Sequence, residues 1–243
     1  MDLFTWQLAA AVGVIALAAL VRGFSGFGSA LIMTPALSYI YAPEVAVPIV
    51  IVVEATLSIQ MLPLGLRDGD RKEVGFLAIM AVVAIPLGTW ALLVVDAETL
   101  RWGISIGILL FLAVLLLGWR RKGKASRLGI ALTGALAGAL NGAAGTPGPP
   151  ILLYYLGGGT TAKQLRANVT LFFFVLDCIT LPWMAIKGLI TSEVLLVAAL
   201  SLPTGILGVI VGVKLFPLAS ELLFRVIAFT IIAGVALASM PLG

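Results

Sequence analysis

Of the 243 residues in the chain, 61% are hydrophobic and only 11% are charged, against roughly 25% charged in an ordinary soluble domain. With a mean hydropathy of +1.18, this composition excludes a soluble globular protein and defines an integral membrane one. The net charge of +4 comes from basic residues in short loops between apolar runs, which orient a membrane protein; the expected surroundings are lipid, with no nucleic-acid partner.

The apolar runs have helix-spanning lengths, about 20 residues each, and lack the short alternation of a membrane barrel. They predict an all-α polytopic membrane protein with segments at 4–21, 28–42, 45–63, 74–95, 99–118, 128–140, 146–157, 165–186, 193–213 and 221–240. Asp2 and the lack of a basic n-region or small-residue cleavage site make the first segment a retained span rather than a signal peptide. Cys178 is the lone cysteine and there is no histidine, so no internal disulfide, metal site or other cofactor is expected.

Two glycine-rich interruptions stand out. Gly23-Phe24-Ser25-Gly26-Phe27-Gly28 breaks the first apolar stretch, and Gly142-Ala143-Ala144-Gly145-Thr146-Pro147-Gly148 recurs 119 residues later. Backbone that leaves the helix inside hydrocarbon must be covered by protein or line a cavity, and matched interruptions in two halves point to a transporter site. Other landmarks also recur: Glu73-Val74 as Glu193-Val194, and Pro86-Leu87-Gly88 as Pro203-Thr204-Gly205. The organisation expected is a first membrane repeat at 1–119, a basic linker at 120–127 and a second repeat at 128–243, five segments in each.

If each broken pair dips and returns, twelve loop cations share one side: Arg67, Arg71, Lys72, Arg120, Arg121, Lys122, Lys124, Arg127, Lys163, Arg166, Lys214 and Arg225. Only Arg101 and Lys187 then lie opposite. If each pair crosses once, the division is nine against five. The positive-inside rule favours the returning arrangement, which makes the halves inverted-topology repeats, with the linker cytoplasmic and both tips reaching mid-membrane.

A helix N-terminus begins after each break, near Gly28-Ser29 and near Gly148-Pro149. Unpaired N–H groups and about half a positive charge there suit an anion. Glycine lets backbone approach the ligand, and Ser25, Ser29, Asn141 and Thr146 carry side-chain donors. The candidate binding set is therefore Arg22, Gly23, Ser25, Gly26, Gly28, Ser29, Asn141, Gly142, Gly145, Thr146 and Gly148. The plainer alternative is that small residues permit tight helix crossing. Arg22 is either the anion's counter-charge or a helix-end cation snorkelling to headgroups.

Glu54 and Asp177 fall near the middle of their segments, where a charge costs about 2.5–3.5 kcal/mol on insertion scales. Either is a proton-coupling candidate; Asp177 is preferred because no cation lies near it in sequence, whereas a structural Arg22–Glu54 pair is an equal alternative for Glu54. Gln60, Asn168 and Thr170 line the path or bond neighbouring helices. Pro86 and Pro203 kink their spans, as hinges or as static bends.

Arg22-Gly23-Phe24-Ser25-Gly26-Phe27-Gly28-Ser29, with Asn141-Gly142-Ala143-Ala144-Gly145-Thr146-Pro147-Gly148-Pro149-Pro150 opening the second half, resembles the TauE/SafE family of sulfite and sulfonate exporters. The likeness spans essentially the whole chain. It implies a secondary transporter of the bacterial inner membrane that exports sulfite, sulfoacetate, taurine or related organosulfur anions by alternating access; a homo-oligomer is compatible with it.

An enzyme is not expected. Gly23-Phe24-Ser25-Gly26 matches a G-x-S-G serine-protease pattern, but no histidine is present to activate the serine and every lysine falls in a loop. A passive small-anion channel is the main alternative, using the same tips without a coupling acid. A membrane scaffold has little support, because no long loop or soluble domain offers a recruiting surface.

Overall fold

The computed structural model describes residues 6–118, 126–156, 161–215 and 221–241, and among them all regular structure is helical. Ten helices follow in order: α1 (Trp6–Ser25), α2 (Ser29–Ile40), α3 (Pro43–Asp68), α4 (Arg71–Val94), α5 (Ala97–Leu116), α6 (Arg127–Ala144), α7 (Gly148–Leu156), α8 (Ala162–Ile186), α9 (Ser192–Leu215) and α10 (Glu221–Ala238). Each falls on one expected segment. Most of the basic linker, residues 120–125, lies outside the described residues, as do Trp119 and the side chain of Arg225.

Among the described residues, six helices are long and apolar enough to cross a membrane: α1, α3, α4, α5, α8 from Lys163, and α9. Their outward faces carry Val83, Leu87, Leu110 and Leu200, all exposed, as lipid-facing residues must be. Side-chain oxygens of Asp70, Asp96, Ser126 and Thr161 accept first-turn N–H groups and so fix the starts of α4, α5, α6 and α8.

Both interruptions are shorter than the sequence motifs indicate. Helix α1 continues through Gly23 to Ser25, and α6 continues through Gly142 to Ala144. Non-helical backbone is confined to residues 26–28 and 145–147. Gly26 and Gly28 (φ 84° and 94°) and Gly145 (φ 63°) adopt left-handed backbone, which a side chain resists. Gly26 N donates to the Arg22 carbonyl (2.7 Å), and Gly145 N donates to the Asn141 carbonyl (2.9 Å). The two turns are therefore closed by the same bond, 119 residues apart.

Gly23 and Gly142 serve a different purpose: a Cβ on Gly23 would strike the Val209 backbone of α9, and one on Gly142 the Ile85 backbone of α4. Gly134 and Gly138 continue the seam between α6 and α4, meeting Leu77 and Ala81, while Gly208 and Gly212 meet Ala16 and Leu20 where α9 packs on α1. Such close backbone approach is how helices associate where lipid offers no hydrophobic drive. The main packing partners are α4 with α6, α1 with α9 and α3 with α8, so each principal crossing joins one half of the chain to the other. Gly212 meets Leu20 and Phe24 as Gly88 meets Ala139 and Ala143; in these crossings Gly212 takes the place of Gly88, whereas the proline motifs aligned Gly205 with it.

At one end of the bundle, Lys163 pairs with Asp68 (3.0 Å), Asp70 N donates to Asn168 Oδ1 (2.7 Å) and Tyr154 Oη donates to Glu73 Oε1 (2.5 Å). At the other, Arg101 Nη2 donates to the Tyr41 carbonyl (3.3 Å), and a small apolar cluster joins Val47, Ile51, Leu92, Leu100 and Met184.

Candidate functional site

Arg22 is in the last turn of α1 and is wholly buried. Burying an unpaired guanidinium is very costly, and two helices, α2 and α3, supply hydrogen-bonding partners. Its Nη1 forms an ion pair with Glu54 Oε2 of α3 and donates to Ser29 Oγ of α2 (3.4 Å); its Nη2 donates to Ser58 Oγ of α3 (2.7 Å). Ser29 Oγ donates in turn to Glu54 Oε1, and Ser58 Oγ to Asp177 Oδ2 of α8 (2.7 Å). The guanidinium lies 5.6 Å from the centre of the Phe173 ring, within cation–π reach. Two carboxylates thus share one cation, Glu54 directly and Asp177 through a hydroxyl. Ser58 and Asp177 are 119 residues apart, the spacing of the two interruptions, and meet where α3 crosses α8.

Beside this cluster lies a cavity of about 10 Å³ lined by Gly28, Ala30, Leu31, Glu54, Asn141, Gly145, Thr146, Pro147, Gly148, Phe173 and Asp177. That is room for about one water molecule. Both interruptions reach it, and Thr34 Oγ1 of α2 ties them by donating to the Ala144 carbonyl (2.8 Å). Asn141 holds its amide against Thr180 Oγ1 (2.8 Å), leaving its buried Oδ1 without a hydrogen-bond partner among the described residues.

Seven of the expected residues line the cavity: Gly28, Asn141, Gly145, Thr146, Gly148, Glu54 and Asp177. Arg22 and Ser29 sit one contact behind, bonded to Glu54. The remaining four are elsewhere. Ser25 Oγ lies within hydrogen-bond distance of both the Val21 and Phe27 carbonyls (2.8 and 2.5 Å), sharing its one proton between them, and shapes the turn; Gly26 lies against the Arg166 side chain; Gly23 and Gly142 form helix seams. Gln60 Nε2 donates to the Ile206 carbonyl (3.4 Å) of α9, and Asn168 serves the α3–α4 turn. Arg22 does not snorkel, and it is paired with Glu54.

The two helix starts differ as anion donors. Gly28 precedes α2 with no side-chain cap, which leaves early N–H groups to other partners. Helix α7 opens Gly148-Pro149-Pro150, and two prolines delete two of the N–H groups such a start would present.

Sequence inspection passed over Ser58 and Phe173. A serine in an apolar helix carries little signal, and Ser58 acquires meaning only through its spacing of 119 from Asp177. Phe173 is one of three consecutive phenylalanines, and nothing local distinguishes it.

A multi-spanning helical membrane protein with a buried cluster in which two carboxylates share one cation, beside a small cavity, is the class these features define. The model of the Sulfite exporter TauE/SafE family matches residues 11–239, nearly the whole chain, and the chain belongs to that family. No curated protein and no solved structure matches it.

Proposed function

We propose that the protein is a secondary transporter exporting small sulfur-containing anions, sulfite, sulfoacetate or other sulfonates, through a mid-membrane site between the two interruptions. The observation that carries this reading is the convergence on one small cavity of both glycine turns and of the carboxylates Glu54 and Asp177, which are linked through Arg22 and Ser58, in a chain of an exporter family. The binding set is Arg22, Gly28, Ser29, Asn141, Gly145, Thr146 and Gly148, with Gly23, Ser25, Gly26 and Gly142 shaping the tips. Proton coupling runs through Glu54 and Asp177.

Residues 1–119 and 128–243 are inverted repeats in this reading, joined by a cytoplasmic linker at 120–127 in a bacterial inner membrane. The contacts support a dip and return for each broken pair. Gly134, in the first half of α6, lies beside Leu77 in the first half of α4, and Tyr154, late in α7, bonds Glu73 in the first turn of α4. Lys163 reaching Asp68 is natural only if α7 returns to the side from which α6 starts.

The cavity is too small for sulfite, so substrate binding requires the tips to part, as alternating access demands. A buried carboxylate pair beside a cavity with room for only about one water also favours a carrier over a passive channel. Flux into proteoliposomes after jumps of sulfite, sulfoacetate and taurine, with and without a pH gradient, tests the reading. Saturable flux that responds to the gradient and fails in Arg22→Ala is expected; absence of flux for every anion overturns the function.

A further inference from the structure

Arg22 does not line the cavity. Its Nη1 and Nη2 go to Glu54, Ser29 and Ser58, its buried Nε has no hydrogen-bond partner among the described residues, and of these three hydrogen-bonding residues only Glu54 also lines the cavity wall. An oxyanion entering the cavity would therefore meet the carboxylates of Glu54 and Asp177 before it met any cation. At the Asn141 side the unpartnered atom is an acceptor oxygen, so the amide would have to turn to donate to an anion. A carboxylate and a sulfonate present the same thing to a guanidinium: two oxygens on one atom, sharing a negative charge.

Resting on the transport reading, we propose that Glu54 is a tethered stand-in for the substrate. Its carboxylate occupies Arg22 in the empty carrier; a proton taken from solution neutralises it, Arg22 loses its partner, and the oxyanion replaces it. Release reverses the exchange and returns the proton, so anion and proton bind as a pair. Ser58 keeps the second Arg22 nitrogen in place throughout, and Ser29 retains a partner in the neutral acid.

The charged and titratable groups facing Glu54 are Arg22 from α1 and Asp177 from α8. The ionisable residues of the other helices packed on α3 lie in terminal turns: Arg71, Lys72 and Glu73 in α4, Glu98 and Arg101 in α5, Arg127 in α6, and Glu193 and Lys214 in α9. Tyr39 is in the last turn of α2 and exposed. The exchange is therefore governed by Arg22 and by the state of Asp177.

Sulfoacetate keeps a constant charge above about pH 6, so any proton uptake on binding belongs to the protein. Titrated into the purified full-length protein in weakly buffered detergent with a pH-sensitive dye, it should draw about one proton per anion bound. Its apparent Kd should weaken about tenfold per pH unit on the alkaline limb. Glu54→Gln should abolish the uptake and flatten the pH dependence, while Asp96→Asn, at an exposed helix cap away from the cavity, retains both. Wild-type binding without uptake, or uptake that persists in Glu54→Gln and vanishes in Asp177→Asn, overturns the stand-in role and leaves transport standing. No binding of sulfoacetate, sulfite or taurine by the wild type removes the transport reading itself.

Discussion

Among the described residues, Glu54 is held by Arg22 and Ser29, and Asp177 by Ser58, so removing Arg22 strands charge. Breaking one side of a buried pair costs about 3–5 kcal/mol. Arg22→Ala should lower the thermal midpoint of the detergent-solubilised protein steeply, and Arg22→Ala with Glu54→Ala should recover part of the loss, since the double variant buries no direct partner without its mate. Equal losses in the single and double variants would deny that the pair is coupled. Ser58→Ala deletes two buried hydrogen bonds and leaves Asp177 without its donor, a loss of about 1–3 kcal/mol, read in the same assay. Asp96, at the start of α5, is an exposed case with the opposite simplicity. The Thr99 amide N–H holds its carboxyl below the usual range, so its cap stabilises the folded protein above the ordinary carboxylate range and is lost as pH falls through its depressed folded value. Asp96→Asn, which caps without titrating, should remove that acid-limb dependence from the midpoint.

The helices themselves were legible because long apolar runs between charges admit few alternatives in a bilayer. Their edges were not, where glycine was concerned. Gly23 and Gly142 read as helix breaks from their composition, yet both remain helical because a neighbouring helix lies against them; a glycine in a seam and a glycine in a turn look alike until the partner is known. The regular spacing of Gly134, Gly138 and Gly142 was an available signal for the α4–α6 seam. The contrast is testable. Gly138→Ala places a methyl group against the Ala81 backbone and should weaken the α4–α6 crossing, lowering the midpoint. Gly107→Ala, in α5 with open space around it, should be neutral or raise stability by about 0.4–1 kcal/mol. If both behave alike, close approach is not what those glycines provide.

At the scale of the molecule, the sequence exposed the location of the site better than its wiring. Seven of its residues follow from the two interruptions and the centred acids, but the path from Arg22 to Asp177 depends on Ser58, and pairing across 119 residues has no local signature. The side of the membrane to which the ends belong can be checked with the exposed Cys178 replaced by alanine. Cysteines at 68 and 163 should cross-link and react with impermeant reagent from the same face, and one at 187 from the opposite face. Reaction of 68 and 163 from different faces would refute the returning pairs. The glycine seams carry a further consequence, for biosynthesis. Helices α1 and α4 find their main crossing partners in α9 and α6, so those crossings must wait in the bilayer until the later helices are made. Arg22 need not wait: Glu54, Ser29 and Ser58 all belong to the first 58 residues, so the nascent chain can silence its most expensive charge early, and Asp177 arrives to a guanidinium already in place.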